Sequence, residues 1–188
     1  MIKSLQQIVK DLFESQEKNN PWHGSKFEIF DKLKNDTSGK AGERFVKQIC
    51  DETNVSFSYE EDINAKDGTY DIIILDKKVE IKTARIGVKN DFQHESLRCR
   101  GYDYIIFLDI CPNYYYLSIV DINSFGNFII QHPIFGVAPH LRKETTGTFK
   151  FDLRETTSIK KGIEKGVTIK VENESVEEIK QFIIKSIV

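Results

Sequence analysis

The sequence predicts an α/β domain in which a central mixed sheet is flanked by helices, with a helical attachment at the N-terminus. Three observations carry that expectation. Segments 70–75 and 102–110 are apolar almost throughout, as strands covered on both faces are. Apolar residues recur at helical spacing on either side of them, over 2–18, 40–52 and 175–187. The chain has 188 residues, 39% hydrophobic and 30% charged, which suits one domain with a substantial core.

Each element has its own local reason. Ile2, Leu5, Ile8, Val9, Leu12 and Phe13 form one stripe, and Asn19-Asn20-Pro21 ends that helix. A short helix is predicted over 26–34, with Phe27, Phe30 and Leu33 on one face. Asn35-Asp36-Thr37-Ser38-Gly39 reads as a break. The next helix, 40–52, buries Ala41, Phe45, Ile49 and Cys50. Strands follow at 55–59, 70–75 and 79–84, the last two joined tightly through Asp76-Lys77-Lys78. A short helix is predicted at 91–98, then strands at 102–110 and 114–120 joined by Cys111-Pro112-Asn113. Gly, Pro and His content predicts loops over 123–142. Strands at 148–153 and 167–171, a short helix or loop at 155–166 and a closing helix at 175–187 complete the chain. The organisation is a single domain: residues 1–36 attach, 38–120 form the core, and 121–188 hold loops and a C-terminal strand and helix.

Composition narrows the function classes. No apolar run approaches the ~20 residues of a membrane helix. The first twenty residues lack the apolar centre of a secretory signal. Cys50, Cys99 and Cys111 are too few and too scattered for a zinc site, so buried thiols in a cytoplasmic protein are expected. Net charge is −2, but it is unevenly spread. Residues 1–81 carry 12 basic against 16 acidic side chains, whereas 82–100 carry five against two and 138–166 seven against four. A basic face within an acidic total is compatible with an anionic partner. No P-loop, zinc finger or helix-turn-helix is present, so no nucleotide cofactor is expected.

The informative stretch runs from Asp71 through Val79-Glu80-Ile81-Lys82. Side chains alternate on a strand, so Glu80 and Lys82 share one face and Val79, Ile81 and Thr83 the other. An acid and a base within an apolar strand are costly to bury unless they bind something. With a hairpin turning near Asp76-Lys77, Asp71 is predicted across from Lys82 and diagonal to Glu80. Two carboxylates and an ammonium then converge. Such oxygens suit Mg²⁺, and the set suits phosphodiester hydrolysis. The competing reading is an exposed edge strand with solvated charges.

Asp71…Glu80-Ile81-Lys82, in this order of helices and strands, resembles the PD-(D/E)xK nuclease superfamily, whose largest group is the restriction endonucleases. Tyr70 stands where the proline of the motif's name would be. The resemblance covers about residues 38–120 and implies a restriction-endonuclease-like fold. It implies Asp71 and Glu80 as metal ligands, Lys82 as the catalytic lysine, and Mg²⁺ as cofactor with Mn²⁺ as substitute. It also points to Glu43, which opens a helix after Gly39 and Gly42; the alternative for Glu43 is an acid favourable to the helix dipole. Asp62 and Asp67 read as loop residues that can join the cluster.

The partner implied is double-stranded DNA. Residues expected to touch it are Arg85, Lys89, Gln93, His94, Arg98, Arg100, His140, Arg142 and Lys143. Arg98 and Arg100 also suit a helix end, and the loop around His140 is equally a solvated one. Tyr114-Tyr115-Tyr116 is either a stacking platform or a half-buried strand. The activity implied is a type II restriction endonuclease acting as a homodimer. A repair or junction-resolving nuclease and an inactive DNA-binding module are the alternatives.

Overall fold

The computed structural model describes residues 10, 14–15, 20–59, 70–97, 101–122, 131–132, 136–137, 142–143, 149–173 and 175–187. Most of the expected first helix, Asp62, Asp67, Arg98, Cys99, Arg100, His140 and most of the 123–142 loops lie outside them. In chain order the elements are α1 (Ile29–Lys32), α2 (Asn35–Glu52), β1 (Phe57–Tyr59), β2 (Ile72–Ile74), β3 (Lys77–Arg85), β4 (Asp91–Leu97), β5 (Tyr104–Ile110) and β6 (Tyr115–Asp121). The short strands β7 (Gln131–His132), β8 (Gly136–Val137) and β9 (Arg142–Lys143) precede β10 (Phe149–Arg154). A π-helical turn (Glu155–Ile159), α3 (Lys160–Glu164), β11 (Thr168–Val171) and α4 (Val176–Ser186) finish the chain.

Six strands form the central sheet in the order β1-β2-β3-β5-β6-β11. It is mixed: β3 and β5 run parallel, and every other neighbouring pair is antiparallel. Strand β5 is the apolar run the sequence marks, with Ile105, Ile106, Phe107 and Leu108 buried on alternate faces. Against one face, Val79, Ile81, Ile106, Leu108, Leu117 and Ile119 meet Val46, Ile49 and Cys50 of α2 and Ile179, Phe182 and Ile183 of α4. Helix α4 begins where its sequence dictates: Ser175 accepts from the Glu178 amide at 3.3 Å, with Glu177 and Glu178 in the first turn. The opposite face, with Ala84, Ile105, Phe107, Tyr116 and Val120, is covered by Phe92 and Leu97 of β4, Leu153 of β10 and Ile159. Among the described residues no helix is long and apolar enough to cross a membrane.

Three expectations are corrected. Residues 91–98 do not form a helix; 91–97 are strand β4, paired with β10 in a second sheet of order β4-β10-β9. Ser96, at φ 54°, makes a bulge there, so Phe92, His94 and Leu97 share the buried side at a spacing that breaks strand periodicity. Residues 35–39 are not a break but the first turn of α2. Their Asn, Asp and Ser suit a helix start as well as a loop, and the Ser38 amide bonds Lys34 O at 3.0 Å. The hairpin between β2 and β3 turns at Leu75-Asp76, one residue earlier than expected, with both residues at positive φ.

Arg85, at the end of β3, reaches back to the N-terminal segment. Its Nη1 donates to Phe30 O at 2.8 Å and Asp31 O at 2.5 Å, capping α1, and lies 3.7 Å from the Asp31 carboxylate. Arg85→Ala is expected to lower the unfolding free energy by about 1 kcal/mol, since the group is half exposed. Urea unfolding measures this; an unchanged midpoint contradicts the cap.

Candidate active site

The two-residue turn fixes the register of the hairpin: Ile72 pairs with Val79, Ile73 with Lys78 and Ile74 with Lys77. Continued by one residue, that register sets Asp71 opposite Glu80, not opposite Lys82. Asp71 sits just beyond the end of β2 and is tied to β3 twice. Its amide donates to Val79 O at 3.0 Å, and its Oδ2 accepts from the Ile81 amide at 2.7 Å. The carboxylate therefore stands where a strand carbonyl would, and its direction is set by the backbone of β3.

On β3, Val79, Ile81 and Thr83 face α2, and Lys78, Glu80, Lys82 and Ala84 face the other way. Glu80 Oε1 lies 2.5 Å from Lys82 Nζ, with 14% and 21% of the two side chains exposed. In the parallel register with β5, Glu80 neighbours Ile105 and Lys82 neighbours Phe107. The charged pair thus has an apolar wall on one side and Asp71 on the other. Lys78 extends the row, its ammonium 5.1 Å from the centre of the Tyr70 ring, and Asp103 accepts from its amide at 2.8 Å. Lys78 is a residue the motif passes over, although strand alternation alone sets it on the face of Glu80.

Burial, then the Glu80 carboxylate, push Asp71 up from 3.8 to about 7. The Ile81 amide pulls it down, Glu43 pushes it up again and Lys82 pulls it down. Glu43, from the third turn of α2, therefore acts on the same carboxyl as the hairpin residues. The Glu80 and Glu43 carboxylates and the Lys82 ammonium thus all act on Asp71. No protein-family model matches the chain, and no curated protein matches it.

The donor set suits a hard divalent cation. It is all oxygen, partly desolvated and richer in negative than positive charge. Among the described residues no three His, Cys, Asp or Glu side chains converge, as they stand, closely enough to hold a metal ion. Glu80 is turned to Lys82 instead. Mg²⁺ commonly rests on one or two carboxylates, with water and phosphate oxygens completing its shell, so a closed three-ligand cage is not required.

The remaining sequence-marked residues scatter. Arg85 caps α1. Lys89 is exposed in the turn between β3 and β4, beside a fully exposed Val88. Gln93 is exposed and donates to Asp152 at 3.3 Å. His94 is buried: its Nε2 lies 2.9 Å from Asp109 Oδ1, and its ring lies against Phe107 at 4.7 Å. Burial pushes the Asp109 carboxyl up, and His94 holds it back. Arg142 and Lys143 are the strand β9, at the edge of the second sheet. Tyr114 and Tyr116 both donate to Glu155 Oε1, at 2.6 and 2.8 Å, while Tyr115 is buried against Phe27 and Phe45.

The raised Asp71 gives a stability signature. A carboxyl that holds its proton more tightly folded than unfolded contributes stability fully present below about pH 4, and that contribution is lost as pH rises through about 7. In chelator-treated buffer, Asp71→Asn is expected to gain on the wild type between pH 4 and about 7 and to level off above that. Thermal unfolding across that range tests this, and a difference independent of pH contradicts it.

Proposed function

We propose that this chain is a metal-dependent endodeoxyribonuclease of the PD-(D/E)xK type, hydrolysing phosphodiester bonds of duplex DNA on a restriction-endonuclease-like fold. The observation that carries the reading is the β2–β3 hairpin. It sets Asp71, oriented by the Ile81 amide, beside the Glu80–Lys82 pair, with Glu43 bearing on the same spot from α2.

Asp71 and Glu80, with Glu43, are the residues that would hold Mg²⁺ or Mn²⁺. When bound, the ion supplies charge neutralisation at the scissile phosphate and a more acidic water. The protein's own groups do the rest. Asp71 is held in one direction by its backbone bond, so it needs little reorganisation. Lys82 is placed to donate to a phosphate oxygen, or to orient the attacking water once Glu80 turns from it. Ile105 and Phe107 keep the inner side of the site apolar, which strengthens each of these interactions.

The layer covering the Glu80–Lys82 face is the β4-β10-β9 sheet, whose outer strand carries Arg142 and Lys143. That supports a duplex lying along this side, with Arg142, Lys143 and Lys89 as contacts. The basic strand β9 belongs to the layer over the Asp71–Glu80 cluster, which favours a type II restriction endonuclease, in which recognition and cutting share a domain. A cluster of this kind cuts one strand, so a two-fold homodimer would cut both.

Plasmid DNA with Mg²⁺ is the test. The wild type is expected to give discrete fragments and to stop when the metal is chelated. Asp71→Ala, Glu80→Ala and Lys82→Ala are each expected to slow cleavage about 100-fold or more, with folding retained. Cleavage confined to branched DNA moves the assignment to a junction-resolving enzyme. Binding without cleavage moves it to an inactive module, and undiminished cutting in excess chelator overturns the metal mechanism.

A further inference from the structure

We propose that Gly42 is a positioning residue: its close seat against Thr83 sets the approach of α2 to β3 and so holds Glu43 at the Asp71–Glu80 cluster. The inference rests on the nuclease reading only in treating that cluster as the working site.

Gly42 leads the buried stripe of α2, followed by Val46, Ile49 and Cys50. A Cβ at Gly42 would overlap Thr83 Oγ1 and lie 3.2 Å from Thr83 Cβ and 3.5 Å from Leu108 Cδ2. Any other residue there requires Thr83 to leave its rotamer or the helix and the strand to move apart. Glycine inside a helix is unfavourable, so this one has a packing reason rather than a conformational one. Gly39, one turn earlier, is the internal contrast: a Cβ there meets nothing within 4 Å.

The partner residue is equally pointed. Thr83 follows Lys82 directly, but its side chain faces α2. Its hydroxyl is buried without a hydrogen-bond partner among the described residues, and it contributes shape to this contact. Strand β3 thus carries the Glu80–Lys82 pair on one face and the seat for the helix on the other, within four residues. Glu43 is the next residue along α2 from that seat. A displacement of the helix at that seat therefore carries the backbone of Glu43 with it, because close-packed interiors transmit strain.

The test is the repulsion between Glu43 and Asp71, measured without metal or DNA. A double-mutant cycle of Glu43→Gln and Asp71→Asn is read by urea unfolding at pH 8.5 in chelator. The cycle is repeated in Gly39→Ala, Gly42→Ala, Thr83→Val and Gly42→Ala/Thr83→Ala. The coupling is expected to be the same in the wild type and Gly39→Ala, to fall by half or more in Gly42→Ala, and to return when Thr83→Ala makes room. Thr83→Val, a milder push with a methyl in place of the hydroxyl, is expected to lower it partway and serves if Gly42→Ala does not fold. Absence of coupling in the wild type, or coupling indifferent to both positions, overturns the proposal. In plasmid cleavage with Mg²⁺, Gly42→Ala is expected to cost tenfold or more, and to cost nothing further in a Glu43→Gln background. A loss that persists in full there marks a general packing defect and also overturns it. A chain that shows the coupling pattern but cuts no DNA removes the nuclease reading and leaves the positioning role standing. A chain that cuts, with coupling indifferent to Gly42, does the reverse.

Discussion

The Ile81 amide donates to Asp71 Oδ2, and much of the site depends on that bond. Strand β2 is three residues long and begins just after Asp71, so beyond its first residue β3 has an amide with no strand carbonyl to meet. A buried amide left unpaired costs on the order of 1–3 kcal/mol. An aspartate carboxylate meets it and is oriented in return. The side chain is pinned by backbone, not by a second flexible side chain. The two-residue turn at Leu75-Asp76 makes this possible, because it fixes which residue of β2 arrives at that amide.

From there the charge arrangement follows. The register places Asp71 against Glu80, alternation places Lys82 beside Glu80, and the seat of α2 on β3 brings Glu43 near. Negative charge exceeds positive in a partly desolvated space, and the upward pressure on Asp71 is its consequence. Structural ion pairs are usually balanced, whereas this group is not. Its imbalance is what an added cation would relieve, at the place where β3 has its apolar neighbours Ile105 and Phe107.

Much of this was legible from residue order. The apolar runs of β2 and β5 and the alternation of β3 identify the central strands, and the spacing of Asp71, Glu80 and Lys82 marks three charged residues that the hairpin draws together. The turn was not legible, because Leu75 adopts positive φ without the Asn or Gly such a turn prefers. Strand β4 was hidden by the bulge at Ser96, which shifts Leu97 out of period with Phe92 and His94. The burial of His94 depends on Asp109, fifteen residues away on another strand, and the tie of Arg85 depends on α1, more than fifty away. Neither partner is visible in local sequence. The glycine at 42 was readable as permitting close approach, but what it approaches, Thr83, required the packing of helix on sheet.

The central claim is that Asp71 and Glu80 together form a cation site built by the hairpin register. Titration of Mn²⁺ into the full chain, followed by the loss of its free electron-spin resonance signal, tests it without substrate. The wild type is expected to bind Mn²⁺, with Mg²⁺ competing, and binding is expected to weaken at least tenfold in Asp71→Asn and in Glu80→Gln. Binding that is unaffected by both substitutions, or no binding by the folded wild type with or without a duplex present, contradicts the account.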